Sequence, residues 1–212
     1  SIEQHSAKNA LFINNYLYSY NDFAFAISKI RLAIAQTINH SDKLIGLVTN
    51  DDIETYASII ALWLEGKAYV PVNPSVPLER NNIVLKSTET KFVIDSSPKS
   101  DYNDYTVIAS KNLDQVLQIN LNPKKFSGDQ LAYILFTSGT TGVPKGVPIT
   151  FDNLEGLVTA VDAEKEFNLT PEDKCLQMFE LTFDFSVVTY LFPFLAGSCV
   201  YTIPKDAIKY FY

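Results

Sequence analysis

Leu131-Ala132-Tyr133-Ile134-Leu135-Phe136-Thr137-Ser138-Gly139-Thr140-Thr141-Gly142-Val143-Pro144-Lys145-Gly146 changes character halfway along. Leu131 to Thr137 is largely apolar and reads as a buried strand. The rest is a run of small hydroxyl residues and glycines, closed by Pro144, Lys145 and Gly146. Glycines let a backbone approach an anion closely. Successive N–H groups in such a turn form a concave anion site, and Thr137, Ser138, Thr140 and Thr141 add hydroxyl donors. Lys145 brings positive charge beside a polyphosphate, and Pro144 restricts the backbone just before it. The loop is not a Walker motif, which needs Gly-Lys followed by Ser or Thr; here Pro144 precedes the lysine and Gly146 follows it. It is not GxGxxG either. A bare Gly/Thr-rich loop fits a surface turn as well as a phosphate site; the full run at this spacing is more specific.

Outward from this strand, helical and strand patterns alternate. Phe23, Ile27, Ile30, Ile34 and Ile38 recur at helical spacing, so Asn21 to Thr37 predicts a helix capped by Asn21 or Ser19. Leu44 to Thr49, Ala68 to Val72, Lys91 to Asp95 and Thr106 to Ala109 read as strands. Asp52 to Leu64, ending near Gly66, and Leu78 to Lys86 read as helices. The polar stretches Ser96 to Tyr105 and Asn120 to Gln130 are loops. Past the quoted run come a helix from Phe151 to Glu166, a strand from Lys174 to Met178, a helix from Phe185 to Leu195 and a strand from Cys199 to Ile203. Such alternation predicts an α/β fold layered helix–sheet–helix, with a mostly parallel sheet.

Composition narrows the function classes. The chain has 212 residues, 47% hydrophobic and 19% charged, which is ordinary globular composition. A net charge of -7 argues against a basic surface for nucleic acid, though a local positive pocket stays open. Cys175 and Cys199 are too far apart for a CxxC motif and read as buried thiols. His5 and His40 are the only histidines, so no multi-histidine metal site is expected. No basic-then-apolar leader opens the chain, and no apolar stretch reaches the ~20 residues that span a bilayer. Asn168-Leu169-Thr170 is a sequon in form only. The expectation is a cytoplasmic protein, trimmed ahead of Ser1.

Four stretches in order carry a resemblance. The quoted run resembles the phosphate-loop signature of adenylate-forming (AMP-binding) enzymes: acyl-CoA synthetases, luciferases and amino-acid adenylation domains. Tyr18-Ser19-Tyr20-Asn21-Asp22-Phe23 resembles their early Thr/Ser-Tyr-x-Glu-Leu element. Leu64-Glu65-Gly66-Lys67-Ala68-Tyr69-Val70-Pro71-Val72-Asn73-Pro74 resembles their "KAGxAYVPIDP" element, with Pro77 and Arg80 in place. Phe183-Asp184-Phe185-Ser186 matches the Phe-Asp-x-Ser element of amino-acid adenylation domains.

The resemblance implies an ATP-dependent ligase. It would join a carboxylate to AMP, release pyrophosphate and pass the acyl group to a carrier-protein or CoA thiol, with Mg²⁺ offsetting phosphate charge. By carry-over, Thr137, Ser138, Gly139, Thr140, Thr141, Gly142 and Lys145 contact the β- and γ-phosphates. Asp184 pairs with the α-ammonium of an amino acid, and Phe185 and Val188 face its side chain. The plainer readings stand beside these: Asp184 caps the helix beginning at Phe185, both roles can coexist, and Phe185 and Val188 are core packing. No metal ligand and no certain catalytic residue is identified. Lys145 to Thr150 and Glu166 to Thr170 look most like D-alanine ligases that charge a carrier protein, with peptide-synthetase adenylation domains close behind. The family's adenine-binding segment, its acidic Mg²⁺ residue, its ribose-binding aspartate and its small C-terminal domain with the catalytic lysine have no counterpart before Tyr212. The expectation is therefore the N-terminal part of an AMP-binding domain, inactive alone. Its first α/β segment would be residues 1–120 and its phosphate-loop segment residues 131–212. The rivals are a portion of an acyl- or aryl-CoA synthetase, in which Asp184 has no ammonium partner, and a non-catalytic nucleotide-binding module.

Overall fold

The computed structural model describes residue 2 and residues 4–138, 144–164 and 168–203. It opens with a hairpin absent from the sequence expectation, β1 (Asn9–Ile13) and β2 (Tyr16–Ser19). β2 is exposed or half-buried along its whole length, so no buried apolar run marks it as a strand. Asn14 and Asn15 make the turn at φ of 51° and 64°, a region asparagine enters more readily than most residues. α1 (Tyr20–Thr37) follows at once on a reciprocal cap. The Ser19 hydroxyl oxygen accepts from Asp22 N–H, and the Asp22 carboxylate accepts from Ser19 N–H at 2.8 Å. That selects Ser19 over Asn21 as the cap.

Next come β3 (Leu44–Val48), α2 (Ile53–Leu64), β4 (Ala68–Val72), α3 (Leu78–Ser87), β5 (Phe92–Asp95) and β6 (Thr106–Ala109). Gly66, at φ of 63°, closes α2. The Lys67 N–H returns to Leu62 O at 2.9 Å and the Gly66 N–H to Trp63 O at 3.0 Å, an arrangement that needs a left-handed residue at Gly66. After a long irregular stretch come β7 (Leu131–Ser138), β8 (Pro144–Thr150), α4 (Phe151–Ala163), β9 (Lys174–Gln177), α5 (Phe185–Ala196) and β10 (Cys199–Thr202). α4 ends earlier than its periodicity suggests, and Glu166 lies outside the described residues. β8 escapes sequence reading because Pro144, Gly146 and Pro148 interrupt it. It is an edge strand, where proline is tolerated.

The strands form two sheets rather than one. The first runs β6-β5-β3-β4-β7-β8 and the second β2-β1-β10-β9. Both are parallel except for the β7–β8 and β1–β2 pairs. Each sheet takes strands from both sides of the loop around residues 120–130. α1, α2 and α5 lie between the sheets: Phe23, Tyr56, Tyr190 and Phe194 pack in one cluster with Leu11 and Val200 of the small sheet and Ile45 and Tyr69 of the large one. The opposite face of the large sheet, through Val48, Val70, Val72 and Val93, packs on Val84 and Leu85 of α3. Burial on both faces is what a parallel sheet demands. No helix among the described residues is long and apolar enough to cross a membrane.

Several charged and polar groups inside this sandwich are paired. The Arg31 guanidinium donates to Glu65 Oε1 at 2.9 Å and to the carbonyls of Asn120 and Asn122 at 2.8 Å each. Lys124 pairs with the other oxygen of Glu65. This knot straps the 120–124 segment to α1 and the end of α2. Tyr69 and Tyr190 join β4 to α5 through a hydroxyl pair at 2.9 Å. Trp63 Nε1 donates to Ala132 O at 2.9 Å and anchors β7 to α2.

Candidate functional site

β7 and β8 pair from Leu131↔Thr150 to Ser138↔Pro144. The residues expected to form the phosphate loop begin at the ends of these two paired strands. Gly139, Thr140, Thr141, Gly142 and the Ser138 side chain lie outside the described residues. Thr137 and Lys145 stand directly opposite each other. The Thr137 hydroxyl donates to the Lys145 carbonyl at 3.5 Å, both residues are exposed, and Lys145 makes no ion pair among the described residues. Gly146 faces Phe136. A Cβ there would sit 3.0 Å from both Ile134 Cγ2 and the Phe136 ring, so glycine is the residue that lets the ring lie across the hairpin. Deeper in the strand, Tyr133 stacks on Tyr69 with ring centroids 5.5 Å apart, which fixes β7 against its parallel neighbour.

Asp184 stands at the start of α5. Its backbone is already helical, φ -59° and ψ -39°, and its Oδ1 accepts from Phe185 N–H at 2.8 Å. This is a short-range cap without the reciprocal bond seen at α1. The turn is held independently, by the Ser186 hydroxyl donating to Phe183 O at 2.7 Å and by the Val187 N–H reaching Asp184 O at 3.1 Å. The carboxylate thus has capacity left over: two oxygens offer about four acceptor positions.

One cleft of ≈ 440 Å³ is lined by Thr137, Asp184, Arg80, Tyr133, Ile149 and Phe183, among others. The fold therefore brings together residues of the hairpin and of α5 that are far apart in sequence. The Tyr133 hydroxyl has its pKa pushed up to about 12, first by burial and then by the nearby Asp184 carboxylate. A smaller cavity of ≈ 210 Å³ adjoins the cleft, shares Thr137, Arg80, Phe136 and Thr182 with it, and reaches Pro144 and Glu180. Phe185 is 50% exposed and meets Phe179 edge-on at 5.0 Å; Val188 is half-buried. Neither lines the cleft. A further cavity of ≈ 460 Å³ opens beside Ile60, Trp63, Leu191 and Phe194. Among the described residues its wall carries no charged side chain, and it shares no lining residue with the two cavities at Thr137, so volume alone does not mark the candidate site.

Arg80 is the residue that sequence reading left without a role. In the sequence it stands in place with Pro77 after the "KAGxAYVPIDP"-like element, with no contact assigned to it. Among the described residues, no group of three or more His, Cys, Asp or Glu side chains is placed to hold a metal.

The model of the AMP-binding enzyme family matches residues 1–210, and the chain belongs to that family. It is similar to gramicidin S synthase 1 of Brevibacillus brevis, 28% identical over 210 residues, which covers 95% of this chain and 19% of that protein. Tyrocidine synthase 1 of Brevibacillus parabrevis is 26% identical over 209 residues, covering 95% of this chain and 19% of the synthase. Among solved structures, the N-terminal subdomain of Klebsiella oxytoca NpsA in complex with 3-hydroxyanthranilyl-AMSN superimposes with a TM-score of 0.80 at 25% identity, over 95% of this chain and 51% of that one. The chain thus spans about a fifth of these synthases and about half of the NpsA chain.

Proposed function

We propose that this chain forms the phosphate-holding and amine-holding side of an adenylating ligase. The enzyme activates the carboxylate of an amino acid with ATP, releases pyrophosphate, and transfers the acyl group to the thiol of a carrier protein or of CoA. The observation that supports this reading best is the cleft shared by Thr137 and Asp184. A hydroxyl-bearing strand end suits a polyphosphate, and a carboxylate in a largely apolar cleft suits an ammonium group. In this reading Thr137, Ser138, Gly139, Thr140, Thr141, Gly142 and Lys145 hold the β- and γ-phosphates, and Asp184 holds the α-ammonium. Phe185 and Val188, on the first turn of α5 and outside the cleft's lining, face the substrate side chain only where it extends beyond the cleft, residues 1–120 are the supporting α/β segment, and the cytoplasm supplies the ATP.

The exposed Lys145 beside the Thr137 hydroxyl fits a triphosphate tail. Mg²⁺, when bound, would offset phosphate charge. In the reaction a carboxylate oxygen bonds to the α-phosphorus as the bond to the bridging oxygen breaks and pyrophosphate departs. The residues present contribute positioning and charge rather than proton transfer.

ATP–pyrophosphate exchange by the protein that carries this chain tests the reading, with amino acids set against plain carboxylates. Exchange driven by one or a few amino acids is the expected result. Exchange supported equally by carboxylates lacking the amine would replace it with an acyl- or aryl-CoA synthetase. ATP binding with no exchange for any acid would replace it with a nucleotide-binding module.

A further inference from the structure

The larger cleft reaches Asp184 but not Pro144, and the smaller one reaches Pro144 but not Asp184. The smaller cavity is thus the one that reaches the start of β8. Arg80 lines both, as does Thr137. Among the described residues it is the one cationic side chain lining either cavity. Arg80 is exposed and forms no ion pair among the described residues, although Glu180 lines the same smaller cavity.

A triphosphate brings several negative charges to this junction, and Lys145 answers with one. An unpaired guanidinium at the wall between the cavities supplies a second, and its planar fork suits two phosphate oxygens at once. We propose that the smaller cavity is a pyrophosphate subsite and that Arg80 is its binding residue, gripping the β- and γ-phosphates of ATP and the pyrophosphate that leaves. Resting on the ligase reading, this inference deepens it: the amino acid occupies the cleft on the Asp184 side, and the leaving group occupies the cavity on the Pro144 side. Thr137 and Arg80 form the partition across which the bond at the α-phosphorus breaks.

The test is titration calorimetry of the protein that carries this chain with inorganic pyrophosphate. Arg80→Ala is expected to weaken binding about 10- to 100-fold, and Arg80→Lys to recover part of the loss. Unchanged thermal midpoints establish that the variants fold, and Arg80→Gln serves if the alanine variant does not. Equal affinity in Arg80→Ala and the unaltered protein would overturn the assignment, as would absence of pyrophosphate binding in the unaltered protein. In exchange assays the KM for pyrophosphate is expected to rise by a similar factor, with the KM for the amino acid unmoved. Weakened pyrophosphate binding in Arg80→Ala, beside an unaltered protein that shows no exchange with any acid, would leave Arg80 standing and remove the ligase.

Discussion

Glu65 and Asp184 are carboxylates at the ends of helices in the same layer, one closing α2 and the other opening α5. Glu65 has a side chain only 4% exposed and is held by both Arg31 and Lys124. Asp184 is exposed and gives its helix a single bond, to the next residue along. The same contrast separates their surroundings. In the knot at residues 120–124 every charge is answered by the protein itself. At the cleft, Arg80 and Asp184 carry charges that the described residues leave unanswered by ion pairs, and so does Lys145, outside the cleft's lining but across the hairpin from Thr137. Exposed unpaired charges are common and a lone one teaches little. Two lining one cleft with Thr137, and a third across the hairpin from Thr137, set this region apart from the knot, where each charge has its partner.

Removing Glu65 breaks the comparison from its structural side and carries the largest expected effect. Glu65→Ala strands the Arg31 guanidinium, whose side chain is 7% exposed, and is expected to cost about 3–5 kcal/mol in urea unfolding. A loss under ~1 kcal/mol would mean that water or a neighbour already serves Arg31.

Asp184→Ala attacks the other carboxylate. It is expected to lower amino-acid-dependent exchange roughly 30- to 150-fold through the lost ammonium partner, while stability falls by only about 1 kcal/mol for the lost cap. A variant that unfolds as readily as Glu65→Ala would show that Asp184 is part of the frame after all.

Tyr190→Phe probes the seam between sheet and helix at smaller scale. It leaves the buried Tyr69 hydroxyl without its 2.9 Å partner and should cost about 1–3 kcal/mol, read from denaturant midpoints, with exchange little changed.

The gentlest handle is alkaline pH. Burial lifts the pKa of Tyr102 and of Tyr133 from 10.0 to about 12. Each keeps its proton in the folded state after the unfolded chain has lost it. Their contribution is therefore full below about pH 10 and is lost as pH rises from 10 towards 12. Thermal midpoints at pH 9 and pH 11 check the direction, and Tyr133→Phe should blunt the decline.

Much of the frame was legible because its signals are local. The stripe Phe23, Ile27, Ile30, Ile34 gave α1, and β4 and β6 fall on the residues whose apolar runs suggested them. The hairpin β1–β2 and the edge strand β8 were not legible. In the first, β2 is exposed or half-buried throughout and carries no buried apolar run, and the second depends on pairing with β7 for a conformation that its prolines argue against. The number of sheets was hidden too, since whether strands join one sheet or two is decided by helices packing between them. At the site, Thr137 and Asp184 were each singled out by their own neighbours in sequence. Their meeting in one cleft, and the position of Arg80 beside both, depend on how α3, the β7–β8 hairpin and α5 converge, which no linear motif encodes.

Trp63 gives this arrangement a reporter. It is the only tryptophan in the chain, 8% exposed, with its indole hydrogen on the Ala132 carbonyl and its ring beside Tyr69, Phe151 and Tyr190. The strand that ends at the phosphate loop begins one residue before that carbonyl. In the ligase reading, nucleotide binding at the β7–β8 hairpin is expected to shift the emission of this tryptophan, the one in the chain.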